Sequence, residues 1–257
     1  MSAFVPLLGA KLLPPDPGEF HLARPRLHDR LRAGMNRRCT ALLAGPGYGK
    51  TSLVARFLRE WEGDSVWLSV DAADRDPWIL FRYLAPGLRE HAPEFGARTE
   101  DLWQDLRSRP EEVDRLCDLF ISDAEESLGA RFVVVLDGVH HLEASPAGTS
   151  ALRRLLAYLP GTLHLILIGR ALPEAGFRTL AAEGAADILS GEELLFTRAE
   201  TRALLGETFA LPVSEETADK IHARTRGWPT ALQLLRQTAR LAQPSPDLPE
   251  QVFIRTE

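Results

Sequence analysis

Cys39 to Thr51, CTALLAGPGYGKT, is the stretch from which the rest of this chain can be read. Thr40 to Ala44 is a short apolar run of the kind that forms a fully buried strand. A glycine-punctuated turn follows, Gly45-Pro46-Gly47-Tyr48-Gly49, and then Lys50-Thr51-Ser52. Beyond it Leu53, Val54, Phe57, Leu58 and Trp61 recur at helical spacing. Strand, glycine loop, Lys-Thr and helix in that order make a P-loop. Glycines let successive backbone N–H groups turn inward around an anion, and the helix adds its positive N-terminal end. Lys50 then reaches the β- and γ-phosphates of a bound nucleotide, and the Thr51 hydroxyl meets Mg²⁺. One position departs from G-x-x-x-x-G-K, because its first glycine is Ala44. Alanine suffices there if the backbone keeps a negative φ.

Composition sets the outer bounds. The 257 residues are 45% hydrophobic and 26% charged, with a net charge of −6, enough for one large domain and a small one. Cys39 and Cys117 stand in apolar surroundings and read as reduced core residues of an intracellular protein. No basic residues precede the apolar stretch Phe4 to Ala10, which argues against a secretory signal, and no run approaches the ~20 apolar residues of a membrane span. The expected location is the cytoplasm, with no membrane contact. The acidic balance argues against direct nucleic-acid binding by this segment.

In chain order, residues 1 to 20 are Pro-rich and read as extended, followed by a short helix from Leu27 to Ala33. Arg24 and Arg26 flank that helix and, on their own, read as solvated charge. Ser65 to Val70 is a second strand and Pro77 to Arg89 a helix. A short helix is expected near Leu102 to Leu106, and a longer one from Pro110 to Leu128. Arg131 to Asp137, RFVVVLD, is a β-branched run ending in a carboxylate. A buried strand here delivers Asp137 beside Thr51, where it can orient Mg²⁺. His140 and His141 have no zinc-ligand spacing and read as structural, or as supporting groups behind the residues of a site. Thr162 to Ile168 is another buried strand ending at Gly169-Arg170. Ligands of open α/β sheets sit at the carboxyl ends of strands, so Arg170 either senses a γ-phosphate or pairs with Glu174 at the surface. A helix from Glu174 to Gly184 and a strand from Asp187 to Ser190 follow.

From Leu194 onward only helices are expected. Thr197 and Glu200 form a capping box for a helix through Glu207, Ser214 caps a second helix to Thr225, Gly227 stops it, and Pro229 opens a third. Gln243 to Pro249 is a Pro-rich linker, and Glu250 to Glu257 reads as the start of a further element. The division is therefore 1–35, an extended segment and short helix; 36–193, a nucleotide-binding domain; 194–242, a small helical domain; and 243–257, a linker.

Several of these features coincide in KLLPP, LARPRL, AGPGYGKT, VVLDGVHHL, LIGRALP, LLFTRAE and RGWPTALQLL. Together, over about residues 11 to 241, they resemble the ATPase core of the STAND class, signal-transduction ATPases with numerous domains. The most similar branch is that of the bacterial maltose-regulon activator. The resemblance implies an α/β P-loop NTPase of the ASCE type, its parallel sheet flanked by helices with the P-loop strand central, followed by a helical lid over ATP or ADP. It implies that Arg24 lies on the adenine side, that Arg170 is the sensor arginine, and that Pro229 faces the base with Trp228 nearby. Such proteins usually carry a second acidic residue after the Asp137 strand, to polarise the attacking water. Here that position is Gly138. Asp71 or Glu143 are the candidate substitutes. Relatives also continue into winged-helix, superhelical and DNA-binding regions, so this chain reads as a fragment or an unusually short member.

The leading expectation is an ATP/ADP-binding regulatory switch, with slow or absent hydrolysis, whose partners or further domains read the nucleotide state, with nucleotide-dependent self-association as one route. A Mg-dependent ATPase with a substitute base is the second, and an interaction scaffold without turnover the third. The candidate site is Lys50, Asp137 and Arg170 for chemistry; Arg24, Gly45, Pro46, Gly47, Tyr48, Gly49, Lys50, Thr51, Ser52 and Pro229 for nucleotide; and Thr51 with Asp137 for Mg²⁺.

Overall fold

Each of the five apolar runs becomes a strand of one parallel sheet. In the computed structural model these are β1 (Cys39–Leu43), β2 (Ser65–Ser69), β3 (Phe132–Asp137), β4 (Leu163–Gly169) and β5 (Ala186–Ser190), in spatial order β2-β3-β4-β1-β5. The structure describes residues 7–16, 18, 22–97, 99, 102, 112–129, 131–142, 144–171 and 174–241. The helices around the sheet are α1 (Pro25–Gly34), α2 (Lys50–Arg59), α3 (Pro77–Arg89), α4 (Val113–Ser127), α5 (Pro146–Tyr158) and α6 (Glu174–Ala182).

The strands are continuously apolar because both faces of the sheet are covered. Side chains alternate between two cores at a period of two. On β3, Phe132, Val134 and Leu136 join the core built with α3, α4 and α5. Val133 and Val135 join the other, with Leu27 and Leu31 of α1 and Leu53, Val54 and Phe57 of α2.

Register places the site. β4 pairs with β1 on one side and β3 on the other, so the P-loop strand and the Asp137 strand are not neighbours. Asp137 aligns with Ile168 of β4, and Leu43 of β1 with Gly169. The carboxyl ends of three strands therefore emerge together. The middle strand is β4; β1 is interior but one place from the edge.

A third core belongs to the helical region α7 (Arg198–Ala203), α8 (Glu215–Thr225) and α9 (Pro229–Leu241). It gathers Leu204, Leu205, Phe209, Ala218, Ile221, Leu232 and Leu235, with Leu22 and Phe196 packed against it. Helix α7 does not run unbroken to Glu207. It passes into a wide turn, Leu204–Thr208, closed by Phe209 N donating to Leu204 O at 2.8 Å. That turn brings Leu204, Leu205 and Phe209 into the same core. The left-handed stop after α8 also starts one residue earlier than expected, with Arg226 at φ 50° and Gly227 at φ 71°. Glycine is required at 227 because a Cβ there would collide with the Phe196 carbonyl.

Near the N-terminus the chain is not simply extended, since Gly9–Leu12 forms a 3₁₀ turn. Lys11 Nζ then reaches Asp71 at 2.8 Å and Asp74 at 2.7 Å, fastening this segment to the end of β2. Helix α4 begins at Val113. Apart from Leu102, the helix expected over 102–106 lies outside the described residues, as do Glu143 and the 243–257 linker.

Candidate nucleotide-binding site

The loop after β1 has the backbone that its glycines allow. Gly47 and Gly49 adopt left-handed conformations, at φ 77° and 73°. Ala44 is not among the positive-φ residues, which is why alanine serves there. Lys50 Nζ folds back to donate to the carbonyls of Ala44 at 2.8 Å and Gly45 at 2.7 Å. The ladder of α2 begins with Leu53 N donating to Gly49 O at 2.9 Å. Among the described residues, the N–H groups of Lys50, Thr51 and Ser52 meet no acceptor. Unpaired donors at a helix start, beside a lysine, form an anion cradle.

Across the cleft, Thr51 Oγ1 donates to Asp137 Oδ2 at 2.9 Å. A hydroxyl and a carboxylate in contact fit a hard divalent cation such as Mg²⁺, which takes oxygen ligands and few protein groups. When bound, such an ion would neutralise phosphate charge, with Thr51 and Asp137 holding it. Electrostatics favour the same pairing of ligands. Burial lowers the Lys50 ammonium below its ordinary value, with Asp137 opposing and Arg170 reinforcing the shift. Burial likewise raises the Asp137 carboxyl, with Thr51 and Lys50 opposing. An anion beside Lys50 and a cation beside Asp137 would oppose both shifts.

These groups line a cleft of about 470 Å³, within the usual range for small-molecule sites. Pro46 to Ser52, Asp137, Arg170, Arg24 and Pro229 all contribute to its wall. Gly45 is the one candidate residue outside that wall; its carbonyl instead holds Lys50. Arg24 is not solvated charge. It is buried at 5% exposure and donates to the carbonyls of Leu194 at 2.8 Å and Leu195 at 2.6 Å, and to Glu200 at 3.2 Å. Its guanidinium stacks on Phe196 at 4.3 Å, so it joins α1 to the helical region. Arg170 is exposed and lines the cleft, and makes no hydrogen bond or ion pair among the described residues. Trp228 stands next to the cleft wall rather than in it. Its ring lies beside Tyr48, with centroids 6.5 Å apart, while Pro229 and Thr230 face inward.

Gly138 has a physical reason to be glycine. It sits at φ 100°, and a Cβ would collide with the Val70 carbonyl oxygen. A carboxylate at this position therefore requires the backbone to move. Asp71 is a poor substitute, being held by Lys11 and absent from the cleft wall. His140, by contrast, lines the cleft beside Asp137 and Gly138. Its Nδ1 is buried without a partner, and burial, His141, Arg170 and Lys50 lower its pKa.

Residues 24–168 match the family model described as the AAA ATPase domain. The chain belongs to the AAA ATPase domain family. The chain is 28% identical over 245 residues to the HTH-type transcriptional regulator MalT of Serratia proteamaculans, an alignment that covers 93% of the chain and 26% of the relative. The chain thus spans about a quarter of the length of such relatives. Its fold matches a STAND protein with a tetratricopeptide-repeat sensor from Pyrococcus horikoshii, with a TM-score of 0.58 and 17% identity over 95% of this chain and 33% of that one. It also matches a Walker-type ATPase of Pyrococcus abyssi, with a TM-score of 0.55 and 19% identity over 90% of this chain and 70% of that one. The resemblance to STAND-type P-loop NTPases of the maltose-regulator branch therefore holds.

Thr230 and His140 line the cleft without having been singled out for nucleotide contact. Thr230 directly follows Gly-Trp-Pro, the signal that could have drawn attention to it. His140 follows the Asp137 strand by three residues, and only the fold shows that it turns into the cleft.

Proposed function

We propose that this chain is the ATP/ADP-binding switch module of a STAND-type regulator, in which 36–193 binds nucleotide with Mg²⁺ and 194–242 closes as a lid. The observation that carries this reading is the Thr51–Asp137 hydrogen bond at 2.9 Å, in the same cleft as Lys50. Lys50, the N–H groups at the start of α2 and Arg170 would hold phosphates, Arg24 and Pro229 the base side, and Thr51 with Asp137 the ion. Hydrolysis is slow on this reading, since Gly138 cannot carry the water-polarising carboxylate without backbone movement. Similarity to MalT-type regulators supports a role in transcription control in the cytoplasm, with effector and DNA contacts made by other domains and self-association following nucleotide state. Among the described residues no helix is long and apolar enough to cross a membrane.

A second reading, a working Mg-dependent ATPase, draws support from His140, whose imidazole lines the cleft next to the position that lacks the carboxylate. Single-turnover phosphate release from ATP by the purified chain separates the two. A rate far below ~1 s⁻¹ supports the switch. A rate of several per second, lost in Lys50→Ala, supports the ATPase.

A further inference from the structure

The start of α9 grips the phosphate-binding loop by one carbonyl. Thr230 N donates to Gly47 O at 3.2 Å, and Thr230 Oγ1 donates to the same oxygen at 3.0 Å, across 183 residues. Packing around this pair is close. A Cβ on Gly47 would collide with Thr230 Oγ1 and meet the Trp228 ring at 3.2 Å, and one on Gly49 would touch Pro229 at 3.9 Å. Three more carbonyls of this stretch have donors from within the nucleotide-binding domain, Ala44 and Gly45 from Lys50 and Gly49 from Leu53. Gly47 is thus the loop carbonyl assigned to the helical region. Its N–H groups can point inward at an anion only while its carbonyls are held outward.

We infer that Thr230 is a positioning residue that couples the phosphate-binding loop to the lid. When the lid is docked, the two donors of Thr230 fix the Gly47 peptide in the left-handed, anion-ready conformation. When the lid swings away, this carbonyl loses both donors and the loop loses its brace. Loop order and lid position therefore change together, and nucleotide release requires that this contact break. Helix geometry explains the residue type. The second N–H of a helix has no partner within the helix, and a threonine there adds a hydroxyl donor beside it.

The inference rests on the nucleotide-switch reading, but half of its test does not need nucleotide. Thr230→Val removes the hydroxyl while keeping shape and the backbone donor, Thr230→Ser restores the hydroxyl, and Thr230→Ala serves if valine prevents folding. The first measurement is hydrogen exchange of the loop amides, residues 44–52, in the full chain without nucleotide. Loss of one hydrogen bond predicts exchange faster by roughly 2- to 10-fold in Thr230→Val, with wild-type rates in Thr230→Ser. The second is release of a fluorescent ADP analogue, expected to quicken by a similar factor in Thr230→Val only. Unchanged loop exchange in Thr230→Val overturns the brace. Faster exchange with unchanged release overturns the coupling. A wild-type chain that binds no nucleotide while its loop exchange responds to Thr230→Val refutes the switch reading and leaves the brace standing.

Discussion

Thr51 and Asp137 stand 86 residues apart in sequence, yet the Thr51 hydroxyl donates to the Asp137 carboxylate at 2.9 Å. The contact follows from strand order. Inserting β4 between β1 and β3 brings the loop after β1 and the end of β3 to the same edge of the sheet, one strand apart. That order gathers a hydroxyl, a carboxylate, a lysine and unpaired helix N–H groups in one cleft.

Gly138 gives the sharpest prediction about turnover. Restoring the missing acid by Gly138→Asp should not create a fast ATPase, because the added Cβ meets the Val70 carbonyl at a left-handed φ. Forced left-handed backbone costs about 1–3 kcal/mol, before any clash is counted. A urea melt should therefore show Gly138→Asp and Gly138→Ala both destabilised by at least that amount. Wild-type stability in either variant would show that the loop moves freely, and a gain in phosphate release would restore the carboxylate argument.

Much of this was legible in the sequence, and for identifiable reasons. The five strands could be read because burial on both faces leaves uninterrupted apolar runs, and the capping box at Thr197 and the cap at Ser214 mark helix starts by local chemistry alone. Gly45 to Ser52 and Asp137 carried their chemistry in their spacing. Arg24 did not, since an arginine beside a helix looks solvated until the fold folds Leu194, Leu195 and Glu200 over it. Thr230 and Trp228 were equally opaque, because their partners Gly47 and Tyr48 lie about 180 residues away. The position of β4 at the centre of the sheet was also not encoded in any single strand.

Glu200 ties the helical region to Arg24 and Arg26. It accepts from Arg26 Nε at 2.9 Å, Arg24 at 3.2 Å and its own capping-box N–H at Thr197 at 2.9 Å. Burial alone would raise its carboxyl, but Arg26, Thr197 and Arg24 together bring it below the usual range. Glu200→Gln leaves the buried Arg24 without its charge partner. The expected cost is about 1–3 kcal/mol, short of a fully buried pair because Arg26 is partly exposed. Chemical denaturation should register that loss, together with weaker ADP binding as the lid loosens. A variant as stable as wild type would remove Glu200 from this role.

His164 predicts the acid limb of stability. It is buried on β4, with Nδ1 against Arg37 O at 2.9 Å and Nε2 without a partner. Burial lowers its pKa from 6.5 to about 4, the Arg37 carbonyl opposing and Arg131 reinforcing. The folded chain therefore keeps it neutral while the unfolded chain takes up a proton below pH 6.5. Stability from this group is full above 6.5 and is lost as pH falls toward 4. Between pH 7 and 5 the wild type should lose about 2 kcal/mol relative to His164→Leu, read from unfolding curves at each pH. Parallel curves for the two proteins would contradict the assignment.

The central claim is that this cleft binds nucleotide through Lys50 with an ion at Thr51 and Asp137. Titration calorimetry of ATP and ADP, with and without Mg²⁺, on wild type and Lys50→Ala tests it most directly. At ligand near 100 times Kd, binding should stabilise the fold by about 2.7 kcal/mol, a melting shift of roughly 5–10 °C. The account predicts saturable heat strengthened by Mg²⁺ in the wild type, and loss of most of that heat and of the melting shift in Lys50→Ala. Equal affinity in the two proteins, or no binding by the wild type at millimolar nucleotide, would contradict it.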